Sequence, residues 1–317
     1  MIVVINKILS IFLIIAVGIF CNRIGILPDE MNKCFNVLLF DIISPCMILS
    51  TITSKELTDE TLSITLESIA CGIGYMLIAF LLGFLFIKKV LKFEGDDFGV
   101  LILLFAIPNG GFMGFPVTLA LFGEDVLFLM VIVNVIFIFA MFTLGFLIVH
   151  LGEENEYGKT ALLKEAAKSM KNPSTISAII GLLMLFLRLQ FPGFIFETID
   201  MVGDSVVSLS MLMVGMLLGN SNIKKIVKNK KLLLMVVIRS IILPVSIILA
   251  VNWLPIPANL KVCLGLAAAL PSAVAIAPIA EQEGKNSILA AEGISLSTLL
   301  SMAVIPITAS LLTMLYL

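Results

Sequence analysis

The sequence predicts an all-α integral membrane protein of ten transmembrane helices, arranged as two inverted five-helix repeats. Three observations lead there. The chain is 60% hydrophobic and only 13% charged, where a soluble domain runs to about 45–50% apolar and about 25% charged. It holds ten apolar runs long enough to cross a bilayer, which takes about 20 residues of helix. Two of those runs are broken at their centres by proline, glycine and polar residues, and one numerical offset relates the two breaks.

The runs cover 4–22, 33–53, 62–87, 98–122, 126–149, 173–190, 195–219, 232–253, 260–281 and 287–316. The third and tenth are long enough to imply tilt or overhang. Turn signals bound several of them: Leu27-Pro28-Asp29-Glu30 follows the first, Phe191-Pro192-Gly193 the sixth and Leu254-Pro255-Ile256-Pro257 the eighth. The opening Met1-Ile2-Val3-Val4-Ile5 has no basic region and no small-residue cleavage signal behind it, so it reads as the first span. The longest polar segment, 152–172, separates a first repeat at 1–151 from a second at 173–317. Within it, 164–168 reads as a short surface helix.

Lysine and arginine fix the orientation. Fifteen of the 20 lie in one set of alternate connections, among them Arg23, Lys33, Lys88, Lys89 and the cluster from Lys224 to Lys231. The other side holds Lys7, Lys55, Arg188 and Lys261, and Arg239 alone lies within a span. The rich side is cytoplasmic by the positive-inside rule, which leaves both termini outside. Five spans per half is an odd number, so the second half enters from the opposite face and the repeat is inverted.

The fourth run carries Pro108-Asn109-Gly110-Gly111-Phe112-Met113-Gly114-Phe115-Pro116, and the ninth carries Pro271-Ser272-Ala273-Val274-Ala275-Ile276-Ala277-Pro278. Proline removes a backbone donor and clashes with the preceding turn. Each run therefore reads as two half-helices joined by unwound chain, which is tolerated at membrane depth only where protein or a water-filled cavity covers it. A proline kink packed tightly through its glycines is the plainer reading of either break alone. Adding 163 to Pro108 gives Pro271, and adding it to Asp41 gives Asp204; Pro116 maps one residue past Pro278. Paired breaks in corresponding positions of two halves point to a transporter binding site.

Half-helix N-termini at such a site carry roughly +0.5 charge each and unpaired N–H groups, which favours an anion without an arginine. Asn109 adds an amide that donates and accepts, or simply caps the second half-helix. Ser272 adds a hydroxyl. Charges inside spans default to function: Asp41, Asp204 and Arg239 are candidates for coupling to H⁺ or Na⁺, with a structural ion pair or snorkelling to an interface as the bland alternative. Glu292 joins them as a possible ion ligand, though it lies near the predicted cytoplasmic surface with Glu281 and Glu283. Asn134, in the fifth run, suits a hydrogen bond between helices.

Other functions find little support. There is no His-Glu-x-x-His, no Gly-x-Ser-x-Gly and no phosphate-binding glycine loop, and the single histidine, His150, reads as interfacial, so no catalytic residue is expected. The five cysteines have no metal-ligand spacing and read as small buried hydrophobes. No basic patch with interleaved aromatics suggests nucleic acid, and no cofactor is expected.

Pro108-Asn109 with Met113-Gly114-Phe115-Pro116 resembles the fourth-helix crossover of the auxin efflux carrier family. Leu270-Pro271-Ser272-Ala273 through Pro278 looks like its ninth-helix counterpart, and Asn172-Pro173-Ser174-Thr175 is similar to the start of its sixth helix. The resemblance covers the whole chain. In the plant pattern an Asn and a Tyr stand where Ser174 and Ile176 are here. The resemblance implies crossed broken helices 4 and 9, as in sodium/proton antiporters and bile-acid symporters. It implies a scaffold of helices 1, 2, 6 and 7 that forms a homodimer, and a moving transport domain of helices 3–5 and 8–10. It implies a small organic anion as substrate, auxin-like or a dicarboxylate, in contact with Asn109, Gly110, Gly111 and Ser272. The expectation is a multi-pass plasma-membrane carrier working by an elevator-type shift. A carrier coupled to Na⁺ or H⁺ whose main cargo is a cation, or a bile-acid-like anion, is the alternative, with a non-transporting ligand sensor behind it.

Overall fold

A computed structural model describes residues 2–28, 31–93, 97–150, 167, 171–220 and 226–317. The described residues are helical, with no strand longer than a single bridge pair. In chain order the helices are α1 (Ile2–Arg23), α2 (Cys34–Thr53), α3 (Asp59–Val90), α4 (Asp97–Ala106), α5 (Gly110–Phe122) and α6 (Glu124–Val149). They continue with α7 (Pro173–Phe186), α8 (Gly193–Gly219), α9 (Lys230–Asn252), α10 (Ala258–Ala269), α11 (Ile276–Gln282) and α12 (Ser287–Tyr316). Among the described residues, six of these are long and apolar enough to cross a membrane: α2, α3, α6, α8, α9 and α12. The predicted loop at 152–172, with its short helix, lies almost wholly outside the described residues.

The helix ends follow from side-chain chemistry. Asparagine is the recurrent cap: the Oδ1 atoms of Asn172, Asn229 and Asn286 accept from the N–H of Ser174, Leu232 and Leu289. Thr58 does the same for Thr61, which starts α3 ahead of the predicted run. The sixth run ends early, at Phe186, because the chain turns through Arg188 at φ 55°. Both broken runs do break, α4 from α5 at Ile107–Asn109 and α10 from α11 at 270–275.

Proline also reshapes helices that do not break. In α2 the Ser44 N–H bonds to Leu39 O, five residues back, giving a wide turn over Leu38–Ile43. The cause is Pro45, whose missing donor and ring displace the ladder immediately before it. The same wide turn opens α5, where the Phe115 N–H bonds to Gly110 O just ahead of Pro116.

Packing divides the helices into two groups. α1, α2, α7 and α8 pack chiefly on one another, and α3, α4, α6, α9, α10 and α12 do likewise; α5 and parts of α6 and α12 lie between them. The tightest approach is α1 on α8. A Cβ on Gly18 would collide with Leu212 O and touch Gly215 Cα, and a Cβ on Gly215 would collide with Ile15 O and Gly18 Cα. Lipid is as apolar as leucine, so such close backbone contact replaces the hydrophobic effect as the force between spans. Large apolar side chains such as Leu13, Phe20, Leu81, Ile241 and Met314 stay exposed around the outside, as a bilayer permits. Replacing Gly215 with Val pushes the two backbones apart, and overpacking of this kind costs about 1–3 kcal/mol. A lowered melting midpoint of the purified protein in detergent is the expected reading; an unchanged midpoint for Gly215→Val contradicts this account of α1 and α8.

Candidate functional site

The two breaks meet. Pro108 and Ser272 form an antiparallel bridge pair. The Asn109 N–H donates to Pro271 O at 2.8 Å, and the Ala273 N–H donates to Ile107 O at 3.1 Å. Each unwound segment thus supplies the partners that the other lost on leaving its helix. Ser272 adds two more ties: its N–H donates to Ser297 Oγ on α12 at 3.0 Å, and its Oγ donates to Leu104 O on α4 at 2.5 Å.

The C-terminal ends of α4 and α10 are satisfied from α9. Arg239 is 2% exposed and the largest fully buried side chain described. Its Nε donates to Phe105 O at 2.9 Å and its Nη1 to Leu270 O at 3.0 Å, while Nη2 has no hydrogen-bond partner. Helix C-termini expose unpaired carbonyls and carry about −0.5 charge each, so one guanidinium answers both ends. Arg239 is therefore neither paired with a carboxylate among the described residues nor among the residues lining the cavity described next.

The N-terminus of α5 faces a small open cavity. Pro108, Asn109, Gly110, Gly111, Asn134, Asn172, Ser174 and Ala273 line it, with Phe40, Phe137, Ile138 and Met141 as apolar walls. Asn109 caps α5, its Oδ1 accepting from the Phe112 N–H at 3.2 Å, which leaves the side-chain N–H₂ as a donor. The Gly110 N–H turns back to Pro108 O. Gly111, in the same first turn, is partly exposed on the wall. No Asp, Glu, Lys or Arg is among the lining residues. Phe40 meets Phe112 edge-on, ring centroids 4.1 Å apart, and so presses α2 onto the crossover. Phe40 also lines a larger chamber, bounded by Asn36, Leu217, Val274, Pro278 and Thr298.

The expected residues divide on this map. Pro108, Asn109, Gly110 and Gly111 line the cavity, and Gly114, Pro116, Pro271 and Pro278 shape the crossover around it. Pro116 follows the wide turn at Gly110–Gly114, and Pro278 lies near the start of α11. Ser272 is fully buried, with its hydroxyl already turned onto Leu104. Asp41 and Asp204 are exposed on α2 and α8, and Glu292 is half-buried on α12; none of the three lines either cavity. His150 sits at the end of α6 with Glu283 Oε2 at 3.1 Å, away from the crossover.

Sequence reading passed over Phe40 and Ser297, quoted Asn172 and Ser174 only as the start of the sixth helix, and took Asn134 for a helix–helix contact. The 163-residue offset was a usable signal for two of these, because it maps Asn134 to Ser297 just as it maps Asn109 to Ser272.

A broken-helix crossover that leaves a capped helix N-terminus on a cavity is the anatomy of a membrane carrier. The comparisons with known proteins agree. Residues 3–309 match the family described as membrane transport protein, the family of the auxin efflux carriers, and the chain belongs to it. It is also 27% identical, over 226 residues, to an uncharacterized transporter of Methanocaldococcus jannaschii, a match covering 69% of this chain and 70% of the relative. The protein is a multi-pass membrane transporter.

Gly110 tests the crossover directly. A Cβ there would overlap Asn134 Oδ1. Gly110→Ala is expected to lower the melting midpoint, and Gly110→Ala combined with Asn134→Ala to recover much of the loss, because the second change removes the atom in the way. Two losses that simply add would show that the two residues do not touch.

Proposed function

We propose that the protein is a secondary carrier of a small organic anion, bound at the crossover and moved by alternating access. The observation that carries this reading is the α5 N-terminus. It brings the first turn at Gly110 and Gly111, the Asn109 amide and the Asn134 amide to one cavity whose lining has no acidic side chain. Helix dipole and backbone donors together favour negative charge at such a place, and a carboxylate is the small organic group that accepts several N–H bonds at once.

The division of the helices into two packed groups supports an elevator-type motion. The group of α1, α2, α7 and α8 serves as scaffold, with the crossover carried in the other. In this reading the scaffold also forms the homodimer. Phe40 on α2 reaches across the boundary to the crossover, which makes it the side chain that must slide when the two groups move. The cavity runs from the crossover toward Met141 and Asn172, the end that carries the lysine-rich connections. Under the positive-inside rule this conformation is open to the cytoplasm.

The test is thermal stabilisation of the purified protein by a panel of small mono- and dicarboxylates at two pH values, beside Asn109→Ala. Ligand bound only by the folded state stabilises it by about 2.7 kcal/mol at a hundred times Kd. A shift from one class of carboxylate that vanishes in Asn109→Ala is the expected result. No shift from any acid, or a shift that Asn109→Ala leaves intact, removes the anion from the crossover.

A further inference from the structure

We infer that Arg239 occupies, as a tethered cation, the place that a coupling ion takes in carriers with broken helices, so that no Na⁺ is bound at this crossover. The inference rests on the carrier reading but not on which anion is carried. In such carriers the C-terminal ends of half-helices and the unwound carbonyls beside them are the groups that coordinate Na⁺. Here the two ends are those of α4 and α10, and both are already engaged. Phe105 O accepts from Nε and Leu270 O from Nη1 of one guanidinium. Two C-terminal ends of about −0.5 charge each make close to one negative charge, and Arg239 supplies one positive charge.

Among the described residues no carboxylate lies within ion-pair distance of Arg239. Asp41 and Asp204 are exposed on other helices and Glu292 is only half-buried. A guanidinium buried to 2% exposure without a carboxylate is costly unless oriented dipoles surround it. The backbone here provides them, and it has no second cation to receive. The same arrangement predicts what happens when the tether is cut. Arg239→Ala leaves two carbonyls facing a gap lined by helix C-termini, which is a cation site in the making.

The experiment uses the full-length protein in detergent with no carboxylate added, so its outcome does not depend on the anion. Melting midpoints are compared in sodium chloride and in choline chloride at matched ionic strength, and retention of radiolabelled sodium is measured alongside. Wild type and Arg239→Lys, which keep a tethered positive charge, are expected to melt alike in the two salts and to retain no saturable sodium. Arg239→Ala is expected to be less stable in choline and to regain stability in sodium, by about elevenfold in the folding equilibrium at ten times Kd. Saturable sodium binding or stabilisation in wild type overturns the inference. So does an Arg239→Ala protein that ignores sodium, and so does one that cannot be recovered folded from either salt.

Discussion

Backbone that leaves a helix inside a bilayer has no water to bond to, and every N–H and C=O so released needs a partner from the protein at a cost of several kcal/mol if none is found. The crossover of this chain is organised by that requirement. Two segments, each unable to remain helical because of proline, answer one another through Asn109 with Pro271 and Ala273 with Ile107. What the pairing leaves over is met from neighbouring helices. Arg239 takes the carbonyls of Phe105 and Leu270, Ser297 takes the Ser272 N–H, and the Ser272 hydroxyl takes Leu104 O. Each of these is a net gain of only about 1 kcal/mol set against a fully bonded alternative, but a large loss if removed alone.

Charge follows the same geometry. A break splits one helix dipole into two, which creates a negative end and a positive end at mid-membrane where a continuous helix has neither. At this crossover the two kinds of end are kept apart. The negative ends of α4 and α10 meet on the guanidinium of α9, while the N-terminus of α5 opens on the cavity. The sorting leaves a helix N-terminus, and no lysine or arginine, on the cavity lining, which is what the proposed anion site requires, and it puts the arginine of the span behind the crossover.

Much of this was legible in the chain. Hydropathy placed the helices to within a few residues, because apolar length is the dominant constraint on a spanning segment. Pro108, Asn109, Gly110, Gly111 and Pro271 marked the crossover because their chemistry is incompatible with an unbroken helix. Contacts between helices far apart in sequence were not legible. Nothing local marks Phe105 and Leu270 as the partners of Arg239, since the groups involved are backbone carbonyls that every residue carries. Phe40 looked like any apolar residue in its run; the wide turn ahead of Pro45 and its contact with Phe112 exist only in three dimensions. Asp41 and Asp204 are conspicuous in sequence as repeat mates, while in the structure both are exposed and neither lines the cavity.

The bridge between the two broken helices also has a mechanical meaning. Two backbone hydrogen bonds in opposite directions, with Arg239 gripping both helix ends behind them, act as a rivet: neither half-helix can be displaced without taking the other along. A riveted joint does not flex when the body holding it shifts. Under the proposed elevator motion the spacing of Asn109, Gly111 and Asn134 would stay the same wherever that body stood, and cargo arriving from either face of the membrane would be gauged against one unchanging template.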